Sequence, residues 1–174
     1  DEVVLLVGAP AGLGTHIAQS VYMRDVHGRT DGPAPHVDLI AEKKNGDFVR
    51  GLITEGLTTA VHDCSSGGLA LAVAEMAISS GIGATIDAVE GHNPILTFYG
   101  EDQARYVLTV KKSDLDKVRA AAKAAGVSCP LIGTTGGSTV KLGTARAVEI
   151  KELHLAYESW FPQFMDGETL IAAE

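Results

Sequence analysis

The chain has little of several features that define common protein classes. Two cysteines, Cys64 and Cys129, occur among 174 residues, which is too few for a disulfide framework. Lys and Arg number 14 against 22 Asp and Glu, and the net charge of −8 argues against nucleic acid or an anionic membrane as a partner. Its apolar runs are too short to cross a bilayer, and no charged-then-apolar signal segment opens it. We therefore expect a soluble, cytoplasmic protein.

Length and glycine placement predict how the chain is organised. One domain covering residues 1–174 is the expectation at this length. The chain begins at Asp1 rather than Met and at once enters an apolar run, Val3 to Val7, which we interpret as a sign that it is a piece of a longer protein. Helical and strand patterns mix irregularly, and Gly136-Gly137 is typical of a hairpin between antiparallel strands. The pattern predicts a mixed sheet covered by helices.

Several helices are predicted along the chain, and three of them carry the clearest expectations about burial and length. One runs from Val37 to Glu55, and its apolar face is predicted to comprise Leu39, Ile40, Phe48, Leu52 and Ile53. A second, over Leu69 to Ser80, carries a single charge and is expected to be buried on most of its faces. The last begins near Lys151, and Pro162 is expected to kink or end it.

A glycine-rich turn follows the first strand. Gly8, Gly12 and Gly14 would let the backbone approach a phosphate at the start of the next helix. The spacing is similar to the phosphate turn of short-chain dehydrogenases, but no tyrosine here is followed four residues later by the lysine of those enzymes. A lone turn of this kind is weak evidence for a dinucleotide. A tight strand-to-loop turn is the favoured interpretation.

The segment from His62 to Leu69 carries possible chemistry. Asp63 at the end of a strand can hold a magnesium ion, and Ser65 and Ser66 can cap a helix or bond a phosphate. Gly67 and Gly68 would expose backbone N–H groups at the positive end of that helix. The alternative is an N-capped helix with glycines for close packing, and residue types alone favour it slightly.

Cys64 follows His62 by two residues, and residues two apart in a strand share a face. That spacing allows a nucleophile beside a histidine, although a buried, inert thiol is the commoner outcome. Cys129, beside Pro130 in an apolar strand, is expected in the core. The six histidines show no ligand spacing, which argues against zinc.

Two weaker candidates lie further along the chain. Glu101, Asp102 and Gln103 form a polar turn that could bind a metal or a ligand hydroxyl, although most such turns are solvated loops. Trp160, Phe161 and Phe164 form an aromatic stripe, which we interpret as packing within this core or against a neighbouring domain.

Six motifs occur in a characteristic order along the chain, at Asn45–Val49, His62–Leu69, Glu75–Ala77, Gly100–Tyr106, Leu131–Gly137 and Tyr157–Pro162. From Leu5 to about Gly167 the chain resembles the C-terminal part of the phosphoribosylformylglycinamidine synthase subunit II family, within the aminoimidazole ribonucleotide synthetase-related superfamily. The resemblance implies an α+β fold, namely a three-layer α/β/α domain with a mixed sheet that is partly ferredoxin-like.

The resemblance also implies a reaction and partners. Enzymes of this family convert formylglycinamide ribonucleotide, ATP and glutamine-derived ammonia into the amidine, ADP, phosphate and glutamate. ATP and magnesium are cofactors of the full-length enzyme, and neither is assigned with certainty to this piece. The implied partners are the N-terminal domains of the same chain, a glutaminase subunit and a small third subunit. An isolated piece is expected to lack activity and to cover its exposed apolar face by self-association.

Site residues follow from the internal repeat of the family, in which two tandem copies of a two-domain unit each form a pocket. The resemblance implies no catalytic residue here. It assigns Asp63 to magnesium, and to a second nucleotide pocket it assigns Asp63, Ser65, Gly67, Gly68, Glu101, Asp102 and Gln103. Ser66 departs from the usual motif, which has Asp at this position, and a serine brings no negative charge for a metal. The alternatives are a free-standing nucleotide-binding module that uses the Gly12 and Gly67 loops, and a purely structural domain.

Overall fold

The structure, a computed structural model, describes residues 2–8 and 16–166. Its strands are β1 (Glu2–Val7), β2 (Ala60–Asp63), β3 (Ala84–Ile86), β4 (Tyr106–Lys111), β5 (Leu131–Thr135), β6 (Thr139–Leu142) and β7 (Val148–Glu149). Its helices are α1 (Val21–His27), α2 (Leu39–Thr54), α3 (Gly68–Ser80), α4 (Pro94–Tyr99), α5 (Leu115–Ala125) and α6 (Ile150–Met165), with a 3₁₀ turn at Lys112–Asp114. In these ranges no helix combines the length and apolarity that a membrane span requires.

The described strands form one mixed sheet in the order β2-β4-β1-β5-β3-β6-β7. β1, α2 and β2 make a split β-α-β unit, with β4 paired antiparallel between the two strands. β4, α5 and β5 make a second such unit, with β1 between its strands. Two interleaved units of this kind are the ferredoxin-like arrangement, to which β3, β6 and β7 add further strands. The predicted mixed, partly ferredoxin-like sheet is confirmed.

Both faces of the sheet are covered by helices. Alternate residues of β1 point to opposite faces: Val4 and Leu6 pack with α3, α4 and α6, whereas Leu5 and Val7 pack with α2 and α5. Leu5, Leu6 and Val7 have no exposed surface, because β1 lies in the middle of the sheet with a helical layer on each side. The predicted three-layer α/β/α architecture is therefore confirmed.

The predicted hairpin at Gly136-Gly137 is wrong. β5 and β6 do not pair, because β3 lies between them, antiparallel to β5 and parallel to β6. The turn instead passes around the start of β3, where Gly83 donates to Gly137 O at 2.9 Å and Gly136 donates to Gly83 O at 2.8 Å. A Cβ at Gly83 would lie 2.3 Å from Thr139 O, and so a glycine there lets the loop close around an inserted strand.

The helix from Val37 to Glu55 forms as predicted, within two residues at its start, but its predicted apolar face is only partly right. Leu39 and Ile40 are 75% and 81% exposed, whereas Val49 and Leu52 are buried against the sheet together with Asn45. Residues 45, 49 and 52 define the inner face at helical spacing, and residues 39 and 40 lie on other sides of the helix.

Two helices, α6 and α4, show how proline is placed in this fold. Pro162 does not end α6, which continues to Met165. Its missing N–H affects only the carbonyl of Glu158, which is exposed and therefore open to water. The sequence analysis also missed α4, a short helix that begins at Pro94 and is capped by the side chain of Asn93.

Candidate functional site

The two predicted site turns lie side by side in the fold. β2 ends at Asp63 and leads through residues 64–67 into α3, and residues 100–105 connect α4 to β4. Because β2 pairs with β4, Asp63 lies opposite Tyr106 and the two turns meet at one end of the sheet. The structure therefore brings together the seven residues that the resemblance assigns to the second nucleotide pocket, namely Asp63, Ser65, Gly67, Gly68, Glu101, Asp102 and Gln103.

Glu101 connects the two turns through its carboxylate. Its Oε1 accepts hydrogen bonds from the backbone N–H of Gly67 at 2.7 Å and of Val21 at 2.8 Å. Gly67 is the N-cap of α3 and supplies no side-chain cap, and the predicted caps from Ser65 and Ser66 are not formed. The carboxylate of Glu101 thus takes the place at the positive end of α3 that we predicted for the anion of a ligand.

The glycine pair at the start of α3, its N-cap Gly67 and its first residue Gly68, is required by close packing. Gly67 and Gly68 have φ of +75° and +62°, a region that other residues rarely adopt. A Cβ on Gly68 would lie 2.5 Å from Gly100 O and 2.9 Å from Phe98 O. The interpretation of these glycines as packing residues is confirmed at Gly68, because any side chain there would push α3 away from the neighbouring turn.

Arg105 binds the backbone of the turn at residues 100–105 from inside the core. Its guanidinium is fully buried, with Nε donating to Asp102 O at 3.0 Å and Nη2 donating to Gly100 O. The Asp102 carboxylate lies 3.9 Å from Nη2 and is itself largely buried. In the described part of the chain, Nη1 has no hydrogen-bond partner. Arg105 therefore binds the backbone of the turn and balances the charge of Asp102.

Helix α2 holds the end of the same turn. Glu42 Oε1 accepts from the N–H of Ala104 at 2.7 Å, and Asn45 Nδ2 donates to Ala104 O at 2.9 Å. Both bonds hold a strained residue, since Ala104 has φ +60° without being glycine. Asn45 is buried where it makes this bond, and a Cβ at Gly46 would lie 3.3 Å from the hydroxyl of Tyr106. Asn45 and Gly46 therefore both contact the segment that leads into β4, and α2 is not interrupted at them.

Three of the seven residues face solvent, namely Asp63, Ser65 and Gln103. The side chain of Asp63 is 63% exposed and lies 3.7 Å from His62 Nδ1. His62 Nε2 in turn lies 3.1 Å from Glu75 Oε2 on α3. Of the other four, Gly67, Gly68 and Asp102 are buried and Glu101 is half-buried.

The oxygen donors around Asp63 are too few for a magnesium ion. Across residues 2–8 and 16–166, no group of three or more His, Cys, Asp or Glu side chains could hold a metal ion. Glu101 is engaged by two backbone N–H groups, and Ser66 is neutral. Asp63 is a single exposed carboxylate, and magnesium prefers near-octahedral oxygen coordination, so these residues alone do not fit a magnesium site.

Burial disfavours the reactive thiolate form of both cysteines. It raises the pKa of Cys64 to about 11, and the side chain of Cys64 packs in the core with α3. The expectation of an inert thiol is therefore confirmed. Burial likewise raises the pKa of Cys129 to about 11, and this residue packs at the edge of the core on the opposite face, less deeply than predicted.

Only the first glycine of the turn after β1 lies within the described residues, and Gly12 and Gly14 lie outside them. Gly8 has φ +101°, and a Cβ there would lie 2.3 Å from Ala104 O. Its N–H donates to Ser128 O at 2.9 Å. At Gly8 the structure agrees with a tight turn, which here packs against the strained residue of the site.

A cleft of about 600 Å³ borders this cluster at Gly67. Its walls come from α1, α3, α4, the segment from β6 to β7 and the first turns of α6, and the rings of Tyr22, Phe98 and Tyr99 line it. The rings of Tyr22 and Tyr99 lie 4.8 Å apart. The volume is that of a typical ligand cavity, and the lining is mostly apolar.

Comparison with known proteins places the chain in a family. The family described as AIR synthase related protein, C-terminal domain, matches residues 1–143. The chain belongs to this family. The AIR synthase-related match extends from β1 through the end of β6, so that it includes both site turns and the whole ferredoxin-like unit.

One close relative is the phosphoribosylformylglycinamidine synthase subunit PurL of Sinorhizobium fredii, strain HH103, which is 69% identical over 168 residues. The match includes 97% of this chain but only 23% of the relative, and so the chain spans about a quarter of the length of such relatives. The PurL protein in the PurLQS structure from Thermotoga maritima has a TM-score of 0.68 at 15% identity, covering 88% of this chain and 26% of that one.

A further solved structure is Thermotoga maritima PurL complexed with ATP, with a TM-score of 0.65 at 14% identity. It covers 88% of this chain and 25% of that one. At these identities the likeness shows the fold alone.

Three residues that hold the turn at residues 100–105 through its backbone were not predicted as site residues, namely Arg105, Glu42 and Asn45. Arg105 lies in the motif Gly100–Tyr106, and a charged residue at the start of an apolar strand is a signal that could have marked it. Glu42 and Asn45 lie about 60 residues away in sequence, and no local pattern links them to the turn.

Proposed function

We propose that this chain is the C-terminal domain, residues 1–174, of an ATP-dependent ligase of the phosphoribosylformylglycinamidine synthase type in purine biosynthesis. The observation that carries the proposal is the 69% identity to the Sinorhizobium fredii PurL protein over 97% of this chain. In that role the full-length protein converts formylglycinamide ribonucleotide into the amidine, with ATP as the energy source and glutamine-derived ammonia as the nitrogen donor.

The proposed partners follow from the same role. They are the N-terminal domains of the same polypeptide, a glutaminase subunit and a small third subunit, and the proposed location is the cytoplasm. The name of the PurLQS structure, whose PurL shares this fold, supports assembly with other subunits.

Within this role we assign the seven clustered residues to a second nucleotide pocket and divide their tasks. Asp63, Ser65 and Gln103 are exposed and would contact the ligand. Glu101 and Gly67 hold the turn and the helix together, and their mutual bond leaves this N–H unavailable to a phosphate. A nucleotide would therefore depend on groups supplied by a second domain, and the affinity of the chain alone should be weak.

Asp63 is the proposed magnesium ligand of this domain. Because the described residues contain no group of three or more His, Cys, Asp or Glu side chains that could hold a metal ion, the other ligands would come from elsewhere in the full-length protein. Magnesium supplies charge neutralisation for a nucleotide phosphate when it is bound. The part of this chain is to hold one carboxylate at the exposed end of β2.

The experiment that tests the proposal compares the chain alone with a full-length fusion, in which this chain replaces the matching 23% of the Sinorhizobium fredii relative. ADP release is measured with formylglycinamide ribonucleotide and ammonia. We expect turnover by the fusion and none by the chain alone. A folded but inactive fusion would overturn the proposal, and turnover by the chain alone would overturn the claim that it is only part of the catalyst.

A further inference from the structure

An aromatic ridge lies on the C-terminal half of α6. We define it as Tyr157, Trp160, Phe161 and Phe164, whose side chains are 52–61% exposed. The rings of Trp160 and Phe164 stack with centroids 5.3 Å apart. Residues at spacings of three and four share one side of a helix, and so the ridge continues the side on which Leu153 packs into the core. The inner side of α6 thus extends beyond the core that covers its first turns.

A hollow of about 660 Å³ adjoins the ridge, and Tyr157 is common to both. The floor of the hollow is the sheet near its β2 edge, including Ala60 and Val107, and its wall is formed by Met76 on α3 and by Ile82, which follows the end of that helix. β2 is the outermost strand of the sheet and has one unpaired edge among the described strands. Ridge, hollow and open strand edge therefore form one continuous surface.

The area of this surface is large for a surface left open to water. Taking about 150–250 Å² for each aromatic side chain, the four ridge residues leave roughly 350–600 Å² uncovered. Typical monomers leave at most about 300–600 Å² in their largest apolar patch, and the hollow adds to the ridge here. A standard protein interface takes about 800 Å² from each partner, and the ridge alone would supply about half or more of that.

We infer that this ridge and hollow are the docking surface for the polypeptide that precedes the domain in the full-length protein. The inference rests on the proposed function. The Sinorhizobium fredii relative matches 97% of this chain, so the match reaches into α6, yet more than three quarters of its length has no counterpart here. The partner surface is apolar, with basic or hydroxyl groups facing the carboxylates of Glu2 and Glu75 at the hollow.

Charge argues against a second copy of the chain as a tight occupant. A two-fold interface uses the same surface on both copies, so that it would bring together two sets of the carboxylates Glu2, Glu75 and Glu158 with no Lys or Arg from the hollow to balance them. The net charge of −8 adds a general repulsion. Weak self-association at high concentration remains compatible with this arrangement.

Thiol labelling tests the inference. Phe164→Cys is made in the isolated chain and in the full-length fusion, with Lys117→Cys on the exposed side of α5 as the matched control. At low protein concentration we expect fast labelling of both variants in the isolated chain. In the fusion, labelling at position 164 should slow by about tenfold or more, as for a site that opens only through local motion. Labelling at position 117 should not change.

Two outcomes would overturn the inference. Equal labelling at position 164 in the chain and in the fusion would show that the ridge stays open in the full-length protein. Slow labelling in the isolated chain would show that the chain itself or a second copy covers the ridge. Because ADP release by the unsubstituted fusion is measured separately, loss of the proposed function and loss of this docking surface give different results.

Discussion

The turn at residues 100–105 and the C-terminal half of α6 are opposite in character. In the turn, polar groups are bonded within the chain: Glu101 to Gly67, Ala104 to Glu42 and Asn45, and Arg105 to the backbone. In α6, large rings that could be buried remain half or more exposed, and no residue of that helix is buried. The site turn is therefore stabilised by contacts within this chain, whereas the aromatic side chains of α6 lack a covering layer among the described residues.

Removing the buried guanidinium of Arg105 should lower the free energy of unfolding more than any other change considered below. Arg105→Met would remove the donor to Gly100 O and the positive charge beside Asp102, and breaking a buried charged contact costs about 3–5 kcal/mol. Urea unfolding of the chain measures the change, with the exposed Arg119→Met as the control. A loss under about 1 kcal/mol would show that the turn does not depend on this contact.

Gly68→Ala should have the next largest effect. The new Cβ would meet Gly100 O at 2.5 Å in a backbone conformation with φ +62°. Gly81→Ala is the matched control, since Gly81 has φ +69° but no atom within 4 Å of its Cβ position. We expect a loss of about 1 kcal/mol for the control and about 3 kcal/mol for Gly68→Ala, measured by urea unfolding. Equal losses would mean that α3 and the turn are free to separate.

Glu101→Gln tests the charge at the start of α3 while keeping an oxygen acceptor. The loss should be about 1 kcal/mol, because a carboxylate at a helix N-terminus gains from the helix dipole. Hydrogen exchange at the N–H groups of Gly67 and Val21 should become faster, with the exposed Glu90→Gln as the control. Unchanged exchange at both amides would show that the charge of Glu101 does not stabilise the two turns.

Phe161→Glu tests the exposed aromatic ridge on α6. A charge on the ridge should leave the stability of the isolated chain within about 0.5 kcal/mol, because the ring is 61% exposed. It should also abolish any self-association that sedimentation detects at high concentration. Strict monomer behaviour of the unsubstituted chain at every concentration would contradict the expectation that the exposed face drives self-association.

Asp63→Asn should have the smallest effect on the isolated chain, within about 0.5 kcal/mol, because the carboxylate is exposed. In the full-length fusion we expect looser retention of a nucleotide in the second pocket and a lower melting temperature, with turnover largely intact. Nucleotide content, melting and ADP release are measured together. Lost turnover with unchanged retention and melting would assign Asp63 to the catalytic pocket instead.

Several features of the fold were predictable because they depend on local pattern. The apolar run at Val3 to Val7 predicted the central strand, and the single-charge segment at Leu69 to Ser80 predicted the buried helix. The hairpin at Gly136-Gly137 was wrong because a glycine pair predicts a turn but not which strand enters beside it. Insertion of β3 there depends on Gly83, which lies more than 50 residues earlier in the sequence.

For the candidate site, local motifs were enough to indicate which turns carry the polar residues, because Asp63 and Glu101 stand in short motifs with glycines. Which of those side chains are exposed and which are bonded within the chain depends on the folded arrangement. Pairing of β2 with β4 brings two distant turns within hydrogen-bond distance, and the carboxylate of Glu101 then bonds the N–H of Gly67 rather than remaining exposed. A residue type limits the bonds that a side chain can form, but the partner that it finds depends on the whole chain being folded around it.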